Sequence, residues 1–177
     1  MEVAMWRCMT LLLLFGLLFT LSSCAHKKNN SPEALAFQAK YGELSKVKRF
    51  GHIAVNVNGD AEKVGLNDQD LTEYARLRFR NNFSSVVYEE VSNEELKTLS
   101  TEKVGVILCR VWVVGENYPL AYHVKCDEVN LKNSSIWSDE VLGYGAKSNS
   151  QETVKKSINE MMEKLALTYF KVKGELG

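Results

Sequence analysis

Proline is almost missing from this chain: Pro32 and Pro119 are the only two in 177 residues. That scarcity excludes proline-rich linkers and polyproline recognition tracts. Net charge is missing too, with 22 Lys and Arg against 22 Asp and Glu. A neutral chain has no electrostatic case for nucleic acid as a partner. Histidine is scarce, at three residues, His26, His52 and His123. No HxH, HExxH or CxxC spacing joins them, so neither a metal site nor a cofactor is assigned. Nucleophile-elbow, dinucleotide and Walker patterns are also missing. Gly143-Tyr144-Gly145 is a weak glycine cluster that a strand end explains without phosphate. The acid pairs Glu89-Glu90 and Asp139-Glu140 are sequence neighbours on strands. Strand neighbours point to opposite faces, so neither pair makes an acid/base couple. The expectation is a chain without catalytic residues, not an enzyme.

Apolar sequence is concentrated in one run, Met9–Leu21, which ends in Leu21-Ser22-Ser23-Cys24. A spanning helix needs about 20 apolar residues, and this run is shorter. Its length and its small-residue end fit a cleavable signal, with an uncleaved membrane helix as the other reading. The aliphatic-small-small-cysteine order resembles the lipobox of bacterial lipoproteins. The resemblance implies a signal peptide over residues 1–23, lipid on Cys24 and acylation of its new amino group. Glu2 is unusual in a leader that should be positive, and Met5-Trp6-Arg7 offers a second start. Ala25 follows the cysteine, where an aspartate tends to retain such proteins at the inner membrane. The implied location is therefore the outer membrane, lipid-anchored, with the domain facing the periplasm.

Residues 24–31 are polar and read as a tether, and 32–177 are the right size for one α/β domain. Ser31-Pro32 starts a short helix to about Tyr41. Alternation marks a strand over Phe50–Val57, with Ile53, Val55 and Val57 on one face. Asn67 caps a helix to about Asn81, with Leu71, Ala75 and Phe79 inward. Ser84–Tyr88 is a second strand, and Ser92 with Glu95 makes a capping box. Three strands follow, Val104–Val114, Leu120–Leu131 and Ser135–Tyr144, with turns between them. A final helix has Ser148, Ser150 or Gln151 at its cap and buries Val154, Ile158, Met161, Met162, Leu165, Tyr169 and Val172. The order β-α-β-(α)-β-β-β-α predicts a mixed five-stranded sheet with a parallel first pair, an antiparallel meander and helices mainly on one face.

Three features carry a second resemblance: Gly65-Leu66-Asn67-Asp68-Gln69-Asp70-Leu71 leading into Ala75–Arg80, Ile136-Trp137-Ser138, and the long last helix. They are similar to a largely uncharacterised group of secreted or lipid-anchored bacterial proteins. The topology also resembles the N-terminal domain of the propeller protein of the Tol-Pal envelope system. Both imply a periplasmic accessory domain and no catalytic residue.

Candidate sites are few. Matching apolar faces of the hairpin place Cys109 beside Cys126, either as a disulfide or as two buried thiols. Arg76 and Arg80, one helical turn apart, would fork a carboxylate or phosphate, or else be solvated with Arg76 paired to Glu73. Trp112, Tyr118, Tyr122, Trp137 and Tyr144 gather on the meander. If one sheet face is bare, its aromatics mark a partner surface; if the 31–48 segment covers it, they are core. The reading is a membrane-anchored binding or assembly accessory of the envelope, partnered by an unidentified envelope protein. The alternatives are an auxiliary lipoprotein of lipid or efflux transport, or a small periplasmic enzyme. Mass spectrometry of protein from native membranes is expected to show a diacylated or triacylated Cys24 terminus, and an intact Met1 or Met5 terminus there would refute the lipobox assignment.

Overall fold

The computed structural model describes residues 31–92, 95, 104–129 and 135–176. Cys24 and the implied signal and tether up to residue 30 lie outside the described residues. The chain divides into two compact units, Met1–Ala36 and Phe37–Gly177. Of the first, the described part is the start of helix α1, Pro32–Tyr41, where the Ser31 hydroxyl accepts from the Ala34 N–H at 3.2 Å.

The second unit is a mixed α/β fold. Strand β1 is Arg49–Gly59, helix α2 is Asp68–Asn82 and strand β2 is Val87–Tyr88. Strands β3, Val104–Val114, β4, Leu120–Val129, and β5, Ser135–Gly145, form the meander, and helix α3 is Ser150–Lys173. The five strands lie in the order β2-β1-β3-β4-β5. β1 is parallel to both β2 and β3, and the two meander pairs are antiparallel.

Each element forms for a local reason. The Asn67 side chain accepts the Asp70 N–H at 2.8 Å, satisfying one of the free donors that begin α2. Leu71, Ala75 and Phe79 then fall on one buried face. Gly174, at φ 74°, ends α3 in the left-handed region, and its N–H returns to Lys171. Val154, Ile158, Met161, Met162, Leu165 and Tyr169 form the buried stripe of α3, while Val172 is only half-buried. They meet the inward row of the sheet: Ile53 and Val55 on β1, Ile107, Cys109, Val111 and Val113 on β3, and Leu120, Tyr122, Val124 and Cys126 on β4.

Several expectations need correction. β2 holds two residues instead of five, because Ser84 and Ser85 turn before pairing begins. Neither Ser148 nor Gln151 caps α3; Asn149 occupies the cap position without a side-chain bond, and the Ser150 hydroxyl donates back to the Lys147 carbonyl at 2.8 Å. The capping-box contacts of Ser92 and Glu95 are present, but the rest of that predicted helix lies outside the described residues.

The stripe on α3 generates a direct test. Ile158→Ala or Leu165→Ala is expected to cost about 2–5 kcal/mol in chemical denaturation, whereas the exposed Lys156→Ala should change stability by less than about 0.5 kcal/mol.

Candidate functional site

Both long helices pack on one face of the sheet, and no described helix or strand of the second unit packs on the other, where Val106 and Asp127 are nonetheless buried at the far end. Leu44 and Val47, from the segment before β1, join the core on the helix side. Strand alternation therefore divides the aromatics of the meander. Trp137 and Tyr122 point inward and are buried, which corrects the assignment of Trp137 to a binding surface. Trp112, Tyr118 and Tyr144 are 54, 74 and 80 % exposed. Val114 and Leu142, missed in the sequence, join them at 59 and 76 %.

The register places these side chains in rows across the open face. Trp112 lies opposite His123, and His123 opposite Leu142; Val114 lies opposite Ala121, and Ala121 opposite Tyr144. The next row is polar, with Asn56, Arg110, Lys125 and Glu140. The apolar end is therefore bordered by charge on one side and by the Tyr118-Pro119 turn on the other. Gly143 shapes the strand beneath it: a Cβ there would fall 2.2 Å from the Tyr122 hydroxyl. Gly143 is thus explained by an inward tyrosine that needs its space, whereas a Cβ at Gly145 would meet nothing.

The two arginines singled out from the sequence do not form a fork. Arg76 Nη2 donates to Glu90 at 2.6 Å and its Nε to the Ile53 carbonyl at 3.3 Å, while Glu73 is not its partner. Arg80 lies over the Tyr88 ring, 5.7 Å from its centre. The Tyr88 hydroxyl donates to the other Glu90 oxygen at 2.5 Å, and His52 Nδ1 stands 3.3 Å from Glu90 without hydrogen-bond geometry. Burial, then the Glu90 carboxylate, raises the Tyr88 phenol well above its usual value. Glu90 is thus held by two donors, which suits a clamp between α2, β2 and the following loop better than a free base.

Cys109 and Cys126 face each other directly in the ladder and are bonded, 2.07 Å between sulfurs, both buried. A bridge of this loop length contributes about 3 kcal/mol on the chain-entropy account. Among the described residues, no three His, Cys, Asp or Glu side chains gather as a metal-holding group. No helix among them is long and apolar enough to cross a membrane.

One polar group is out of place. Glu128 is fully buried on the helix side of β4, and neither carboxyl oxygen has a hydrogen-bond partner. It fits because Gly105 lacks a Cβ, which would meet Glu128 Oε1 and the Phe50 ring at 2.8 Å. Burial raises its pKa to about 8 from an ordinary 4.5. By contrast Asp127, on the open face, is buried, yet hydrogen bonds from Ser138 and Arg110 outweigh desolvation and lower it. The folded state therefore keeps a proton on Glu128 that the unfolded chain has lost above about pH 4.5. Stability from this group is full below pH 4.5 and falls as pH rises to about 8, by up to about 1.4 kcal/mol per pH unit. Glu128→Gln should flatten that slope, read as melting temperature against pH; parallel profiles for the two proteins would show Glu128 ionised in the fold.

No protein family matches the chain, and no curated protein matches it. Among solved structures it is similar to a point-mutated PelC dodecamer from Paraburkholderia phytofirmans, at TM-score 0.46 and 11 % identity over 69 % of this chain and 90 % of that one. A second structure of the PelC dodecamer from the same organism is similar at TM-score 0.43 and 10 % identity, covering 69 % and 89 %.

Proposed function

We propose that this protein is an outer-membrane lipoprotein whose periplasmic domain acts as a non-catalytic binding or assembly accessory of the cell envelope. The open sheet face carries the reading. Trp112, Val114, Tyr118, Leu142 and Tyr144 are exposed together at one end of it, and contiguous apolar side chains in water are the mark of a partner site. Aromatic residues on such surfaces contribute most of the binding energy. The lipobox-like Leu21-Ser22-Ser23-Cys24 supplies the anchor, and two acyl signals suffice for stable membrane attachment. A buried Cys109–Cys126 bridge fits an oxidising compartment.

A photo-crosslinking residue at Trp112, in cells, tests the reading. It is expected to capture one envelope protein, while the same residue at Lys156 on the helix side captures none. Equal labelling from both positions, or release of wild-type protein into the soluble fraction, would refute the proposal.

A further inference from the structure

The two edges of the sheet are treated differently. On the β1 side five outward backbone groups between Phe50 and Val57 are taken by neighbouring segments. The Phe50 and Gly51 carbonyls accept from the N–H groups of Glu89 and Val91 at 3.1 and 2.7 Å. Beyond them α2 takes over: Arg76 donates to the Ile53 carbonyl, the Thr72 hydroxyl accepts the Val55 N–H at 2.9 Å, and Asp68 accepts the Val57 N–H at 2.7 Å. This edge is sealed against another strand.

β5 is 11 residues long and, among the described residues, pairs with no strand on its outer side. Cys109 and Cys126 have Cα atoms 4.0 Å apart, which marks a non-hydrogen-bonded pair. Alternation from there directs the N–H and C=O groups of the odd residues of β5 toward β4 and those of Ile136, Ser138, Glu140, Leu142 and Tyr144 outward. Among the described residues nothing bonds these outward groups. The edge also lacks the proline, lysine or short length that usually blunts one. Its exposed side chains include Leu142 and Tyr144, the most exposed large apolar residues among those described.

We propose that β5 joins a second copy of this chain, antiparallel, about a twofold axis through Leu142. Charge selects the occupant and the register. An axis at Glu140 gives the longest overlap but sets two carboxylates directly opposite, which is unfavourable. An axis at Ser138 places Ile136 against Glu140 of the second copy and leaves Leu142 and Tyr144 unpaired. An axis at Leu142 places Leu142 on Leu142 of the second copy and each Tyr144 phenol beside Glu140 of the other, a donor with an acceptor. It also continues the row of Trp112, His123 and Leu142 from one sheet into the next. The inference is independent of lipid anchoring and of what Trp112 binds; in this dimer the two Trp112 side chains stand roughly 24 Å apart, five strand spacings.

Leu142→Cys, in the full chain in native membranes under mild oxidation, is expected to give a species of twice the chain mass on non-reducing gels. Ser138→Cys on the same edge should not, since its copies lie roughly 27 Å apart along the strands. In detergent, sedimentation should show a dimer for the wild type and at least tenfold weaker association for Leu142→Lys, with the fold retained by circular dichroism. A monomeric wild type, or stronger crosslinking at 138 than at 142, would overturn the proposal. A partner captured at Trp112 together with no dimer would refute this inference alone.

Discussion

Tyr169 is the contact on which the arrangement of the sheet and its helices depends. It sits on α3 with its ring 5.9 Å from Phe50 of β1 and 5.5 Å from Phe83 at the end of α2. Phe50 in turn meets Phe79 at 4.8 Å, and Phe79 stacks on Phe83 at 4.3 Å. One aromatic cluster thus ties the sheet to both helices, and such pairs add to the burial of their large apolar area. The Tyr169 hydroxyl, inside this cluster, donates to the Val47 carbonyl at 2.9 Å. That bond also fastens the segment leading into β1. Every member of the cluster lies on one side of the sheet.

Much of this was legible in sequence because periodicity is a statement about faces. The 3.6-residue stripe of α3 and the two-residue alternation of β1, β3 and β4 name the buried residues almost one by one. The same alternation put Cys109 and Cys126 on one face of the hairpin, opposite or two residues apart. It failed where a position depends on a neighbour distant in sequence. Trp137 alternates with Ile136 and Ser138, but only the register with Glu128 decides which face is inward. Arg76 was paired to Glu73 by helical spacing, yet Glu90, brought in by β2, is nearer to its guanidinium. Leu142 went unremarked because a lone leucine on a strand reads as core until the sheet edge is known.

Glu128 escaped for a related reason. The apolar set on β4 runs Leu120, Tyr122, Val124, Cys126, and its next member is an acid. Taken strictly, the alternation puts that acid inside. Gly105, two strand positions from Ile107 on the adjacent strand, is the signal of the space it occupies. A polar residue that continues an apolar row, with a glycine nearby, is a pattern that sequence reading can use.

The latch between α2 and the edge of β1 has a consequence for how this protein can change. Asp68, Thr72 and Arg76 recur every fourth residue, an advance of about 6 Å along a helix. Their targets, Val57, Val55 and Ile53, recur every second residue, about 6.6 Å along a strand. The match holds at one phase only. Adding or removing a single residue within α2 between Asp68 and Arg76 would turn the helix beyond it by about 100° and carry the following side chains off the strand. Surface connections are ordinarily where a lineage accepts insertions. Here the spacing from Asp68 to Arg76 is fixed, so a change of length is tolerated in connections such as the Gly115–Pro119 turn and not inside this helix.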